Sequence, residues 1–136
     1  MEKIEVQIND NLQQPIKLKI LIAEDDAGME FLLSEIVEDY SKELLIARNG
    51  AEAVEISQNN SDIDLIFMDI RMPLLDGYEA TTEIRKFNKS VIIIAQTSCI
   101  TLTETEKAIE VGCNECYPKP INNNSLNEVL HKYFNE

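Results

Sequence analysis

Four polar groups stand where apolar runs of this chain stop. Lys19-Ile20-Leu21-Ile22-Ala23 leads into Glu24-Asp25-Asp26, and Leu65-Ile66-Phe67-Met68 leads into Asp69. Val91 to Ala95 is followed by Thr97-Ser98, and Asn114 to Tyr117 by Lys119-Pro120. A carboxylate cannot be left buried and unpaired, so Asp69 at the end of its run must be paired or stand at a rim. Carboxylates gathered at one place repel one another and raise one another's pKa. A divalent cation relieves that repulsion, and oxygen ligands with room for water suit Mg²⁺. A carboxylate in such a place can attack phosphorus and become an acyl phosphate. A hydroxyl and an ammonium are suited to holding phosphoryl oxygens.

The elements that must carry these groups follow from periodicity. The apolar runs read as short buried strands, with Leu44 to Ala47 as a further one. Between them the pattern turns helical: apolar residues at 29, 32, 33, 36, 37 and 40 form one stripe. Ala51 to Gln58 reads as a second helix, with Asn49 as its cap and Glu52 three residues on. A loop with Pro73 and Asp76-Gly77 precedes a third helix, through about Lys86. Thr103 and Glu106 suggest a capping box for a fourth helix that stops at Gly112. The last helix carries Leu126, Val129, Leu130, Tyr133 and Phe134. Five strand–helix units with β-branched strands predict an α/β fold, a parallel sheet covered on both faces. In such sheets ligands bind outside the carboxyl ends of the strands, which is where all four polar groups fall.

Residues 1–17 are polar and irregular, with Asn9-Asp10-Asn11 and Pro15, and are expected to be a tail or linker before a domain over 18–136. At 136 residues and 44% hydrophobic content the chain suits one globular domain. A formal net charge of -13 argues against direct binding of nucleic acid and against docking on an anionic membrane. No apolar run approaches the roughly 20 residues of a membrane span. Three cysteines and no visible secretory signal point to a reducing, cytoplasmic setting. Cys113 and Cys116 form a C-x-x-C, but a zinc site needs about two more ligands. The sole histidine is His131.

Taken singly, each polar group has a plainer explanation: an acidic pair in a solvated turn, a surface lysine, a threonine helix cap. Together, in this order and at this spacing, they resemble the receiver domain of a response regulator in two-component signalling. The resemblance covers about residues 18–136 and implies a (βα)5 doubly wound, flavodoxin-like sheet of strand order 2-1-3-4-5. By position it makes Asp69 the phosphoacceptor. Glu24 and Asp25 become the acidic metal pair, Asp25 as direct ligand, with the backbone carbonyl of Arg71 as a further Mg²⁺ ligand. Thr97 and Lys119 would hold the phosphoryl group, and the Lys119-Pro120 bond would be cis. Asp26, one place beyond the pair, is expected to be solvated. The resemblance also implies a cognate histidine kinase or phosphotransfer domain as partner. It implies a face of the fourth helix, fifth strand and fifth helix for readout and for a homodimer. The polar tail suggests a segment once joined upstream, as in a hybrid histidine kinase.

Two positions depart from the family pattern. Cys116 stands where many receivers carry a switch aromatic, while Tyr117 should point to the other face. Arg71 and Cys99 flank the phosphoryl site, and a long Arg71 is expected to cover it and slow hydrolysis. Two other classes share parts of the pattern. A flavodoxin-like electron carrier would want a phosphate loop where Glu24-Asp25-Asp26 stands. A haloacid-dehalogenase-type phosphatase would want an aspartate where Arg71 stands.

Overall fold

The computed structural model describes residues 16–134. Apart from Ile16 and Lys17, the expected tail lies outside the described residues. The strands are β1 (Leu18–Ala23), β2 (Ser41–Ala47), β3 (Leu65–Asp69), β4 (Ile92–Thr97) and β5 (Glu115–Pro118). The helices are α1 (Ala27–Val37), α2 (Gly50–Asn59), α3 (Gly77–Arg85), α4 (Leu102–Val111) and α5 (Asn123–Phe134), with a 3-10 turn over Glu38–Tyr40. The strands pair in parallel in the order β2-β1-β3-β4-β5.

Side-chain alternation sends the sheet's two faces into two cores. Leu21, Ile66, Met68, Ile93 and Ala95 pack with Ala53, Ala80, Ile84 and Ala108 from α2, α3 and α4. Ile20, Ile22, Phe67 and Ile94 pack with Leu33, Val37, Leu126, Val129 and Leu130 from α1 and α5. The central strands β1 and β3 are buried on both faces, which is why their sequences are apolar apart from Lys19 and the terminal Asp69.

Helix starts are set by side-chain oxygens that accept the first free N–H groups. Asn49 caps α2 as expected, accepting from Glu52 N at 2.8 Å. Asp76 and Glu79 make a reciprocal capping box on α3. The cap of α4 is Thr101, not Thr103: Thr101 Oγ1 accepts from Glu104 N at 3.1 Å, and Thr103 already lies inside the helix. That helix ends at Gly112, whose φ of 122° suits a residue without Cβ.

Several boundaries shift from the sequence-based expectation. β2 begins at Ser41 instead of Leu44, because its edge position lets polar residues join the ladder. The first helix ends at Val37 and tightens into the 3-10 turn, so Tyr40 falls outside it. Its apolar stripe is narrower than predicted, and Leu32 is 43% exposed.

Candidate functional site

Strand register decides which polar groups meet. Ala23 pairs with Met68 across β1 and β3, so Glu24 follows at the level of Asp69. Asp69 pairs with Gln96 across β3 and β4, which sets Thr97 one step beyond. Thr97 pairs in turn with Pro118, and Lys119 follows. Carboxylate, hydroxyl and ammonium thus come to one edge because four central and edge strands end in step.

At that edge Lys119 joins the acids. Its Nζ donates to Asp69 Oδ2 at 3.0 Å and lies 3.2 Å from both Glu24 carboxylate oxygens. The acidic side chains are 2% and 3% exposed, the lysine 13%. Asp69 Oδ1 also accepts from Arg71 N at 3.3 Å. Burial, and then the charge of Asp69, push the Glu24 carboxyl up to about 7, against the pull of the Asp26 N–H and of Lys119. Burial works against the Lys119 charge, but its hydrogen bond to Asp69 and the neighbouring acids outweigh this and raise its pKa.

Asp25 completes the acidic group. One oxygen each from Glu24, Asp25 and Asp69 lies within 4.8 Å of the others. Asp25 is exposed and opens onto a cleft of about 360 Å³ lined also by Ile70, Arg71, Met72, Pro73, Asp76 and Tyr78. Hard oxygen donors, crowded enough to hold Glu24 well above its ordinary value and open to water on one side, fit a small divalent cation. The floor of the site is tight. A Cβ on Gly77 would run into the Asp69 carbonyl and Ile70 Cα, so this loop packs directly on the end of β3.

Other residues fall differently from expectation. Asp26 is exposed but not merely solvated: its Oδ1 caps α1, accepting from Gly28 N at 2.9 Å and Met29 N at 3.4 Å. The Arg71 side chain is engaged by Glu104: its Nη2 pairs with Glu104 Oε2 at 2.6 Å. Thr97 is 1% exposed, and its Oγ1 donates to Glu104 Oε1 at 3.0 Å. Glu104 is therefore a part of the site that sequence reasoning does not single out; its signal is the Thr101-x-x-Glu104 frame, which overlaps Thr103-x-x-Glu106. Cys116 packs on the α2–α4 side of the sheet and Tyr117 on the other, as strand alternation requires. The Lys119-Pro120 peptide is cis.

The response regulator receiver domain model matches residues 20–131. The chain belongs to this family. The receiver is 37% identical over 112 residues to the chemotaxis protein CheY of Halobacterium salinarum, covering 82% of this chain and 92% of that protein. It is 34% identical over 148 residues to hybrid signal transduction histidine kinase B of Dictyostelium discoideum, covering 98% of this chain but 7% of the kinase. Among solved structures it resembles a chain in the co-crystal of the Saccharomyces cerevisiae phosphotransfer protein Ypd1 with the receiver domain of Ssk1. That match has 31% identity and a TM-score of 0.76, and covers 88% of each chain. The chain is thus a receiver domain of two-component phosphorelay signalling, and the electron-carrier and phosphatase alternatives fall away.

Proposed function

We propose that Asp69 accepts a phosphoryl group from the phosphohistidine of a cognate histidine kinase or phosphotransfer domain. The supporting observation is the convergence of Asp69, Glu24, Asp25 and Lys119 at the carboxyl edge of the sheet, with Thr97 at the next strand end. In the transfer, an Asp69 carboxylate oxygen attacks phosphorus, the phosphorus–nitrogen bond breaks, and its electron pair leaves with the imidazole. Lys119 is already on Asp69 Oδ2 and is positioned to take a developing phosphoryl oxygen instead. Slow hydrolysis by water returns the free carboxylate.

Glu24, Asp25, Asp69 and the Arg71 backbone carbonyl would hold Mg²⁺. When bound, the ion offsets the negative charge of the acids and of the phosphoryl oxygens. Lys119, between Asp69 and Glu24, meets part of that need within the protein itself.

The partner class is supported by the Ypd1 co-crystal, in which a similar receiver meets a phosphotransfer protein. The strongly acidic chain is not suited to contacting nucleic acid directly. Among the described residues no helix is long and apolar enough to cross a membrane, and we place the domain in the cytoplasm. The similarity to a hybrid signal transduction histidine kinase supports reading the domain as the receiver of such a kinase. Leu102 and Ile109, exposed on α4, support readout or homodimerisation through the α4, β5 and α5 face.

The test is incubation with Mg²⁺ and acetyl phosphate, followed by intact mass. One phosphoryl adduct that is lost in Asp69→Asn and on chelating the metal is expected. An adduct that persists in Asp69→Asn would overturn the assignment.

A further inference from the structure

Thr97 has one hydroxyl proton, and the structure shows where it is committed. Its Oγ1 lies 3.0 Å from Glu104 Oε1 and 3.4 Å from the Cys99 carbonyl, while it accepts the Cys99 N–H at 3.2 Å. An ionised carboxylate can only accept, so Thr97 is the donor to Glu104. Phosphoryl oxygens are acceptors too. Thr97 therefore cannot donate to a phosphoryl group on Asp69 and to Glu104 at the same time.

Glu104 is well placed to hold that hydroxyl. Its side chain is only 15% exposed, and its other oxygen is engaged by Arg71 from the loop after β3. Its backbone carbonyl accepts from Tyr78 Oη of α3 at 3.4 Å, and its N–H is capped by Thr101. One residue thus ties the end of β4 to the loop after Asp69, to α3 and to the first turn of α4. Cys116, in place of a ring, offers no large side chain to couple Thr97 to that surface.

We infer that Glu104 is a positioning residue that latches Thr97 away from the phosphoryl site, so that phosphorylation must break this bond and thereby loosens the start of α4. The inference rests on Asp69 being the phosphoacceptor. In the free domain the latch competes with phosphoryl binding. Once Thr97 swings to the phosphoryl oxygen, Glu104 retains only Arg71 as side-chain partner, and the α4 turn is held less firmly. The exposed apolar residues Leu102 and Ile109 on α4 would carry this change to a partner.

The test titrates the protein with beryllofluoride, a phosphoryl analogue, in the presence of Mg²⁺, following amide resonances. A hydrogen bond to a charged group is strong enough that Glu104→Ala should bind the analogue about ten- to a hundred-fold more tightly. In a Thr97→Val background the same substitution should change nothing, because the latch has no hydroxyl to hold. The Cys99 amide of free Glu104→Ala should shift toward its position in the analogue-bound wild type. A gain of the same size in both backgrounds would show a plain charge effect and overturn the latch, as would no gain at all. Should Glu104→Ala fail to fold, Glu104→Gln must show a smaller gain with the same dependence on Thr97; a glutamine variant without it overturns the latch. Wild-type protein that takes up no beryllofluoride, or Asp69→Asn that takes it up equally, overturns the phosphoacceptor assignment itself.

Discussion

Replacing Glu24 by glutamine should stabilise the metal-free domain at pH 8 while weakening its use of Mg²⁺. The Glu24 carboxyl is buried against Asp69, and its pKa rises from the usual 4.5 to about 7. The folded state therefore keeps this proton to higher pH than the unfolded chain does. Stability is highest below the unfolded value, declines as pH rises through about 7, and is level above. Each pH unit in that interval is worth about 1.4 kcal/mol, so ionising Glu24 in the fold costs about 3 kcal/mol at pH 8. Glutamine removes the charge yet keeps an acceptor for Lys119 Nζ and for Asp26 N, both now held by the carboxylate. Urea unfolding followed by circular dichroism, with a chelator present, measures the difference. The variant should be more stable by about 2–3 kcal/mol at pH 8, with the gap closing as pH falls toward 4.5. Added Mg²⁺ should restore the wild type more than the variant, because ligand binding stabilises in proportion to affinity. A variant no more stable than wild type at pH 8, or a gap that ignores pH, would refute the reasoning.

Further outcomes follow from particular contacts. Gly77→Ala forces a Cβ into the Asp69 carbonyl and Ile70 backbone; it should cost roughly 1–3 kcal/mol in urea unfolding and slow acetyl phosphate labelling by displacing Asp69. Asp76→Ala breaks the reciprocal capping box of α3 and should cost about 1 kcal/mol by the same assay. Burial pushes the Cys113 thiol up to about 11, whereas Cys99 is exposed. Iodoacetamide at pH 8 should therefore modify Cys99 readily and Cys113 only after unfolding, as read by peptide mass.

Much of the fold was legible because largely apolar strands and striped helices leave few alternatives. The candidate site was legible because each reactive group is the last residue of a strand or lies one or two residues past it, where parallel topology collects it. What stayed hidden depends on geometry that types and spacing do not carry. Thr101-Leu102-Thr103-Glu104-Thr105-Glu106 contains two overlapping capping frames, and only the path of the chain leaving β4 selects Thr101. The same choice turns Glu104 inward to Thr97 and Arg71. Arg71 was expected over the phosphoryl site, but an acid 33 residues away engages its side chain. Asp26 seemed spare beside Glu24 and Asp25, yet an N-terminal helix turn needs an acceptor there.

The central claim is that Asp69, among all the carboxylates of an acidic chain, takes the phosphoryl group. The most direct measurement is to label the protein with acetyl phosphate and Mg²⁺, reduce the acyl phosphate with borohydride, and sequence the peptides. Conversion of Asp69 to homoserine, with Glu24 and Asp25 unchanged, is the predicted result. Reduction at any other carboxylate, with Asp69 intact, would contradict it.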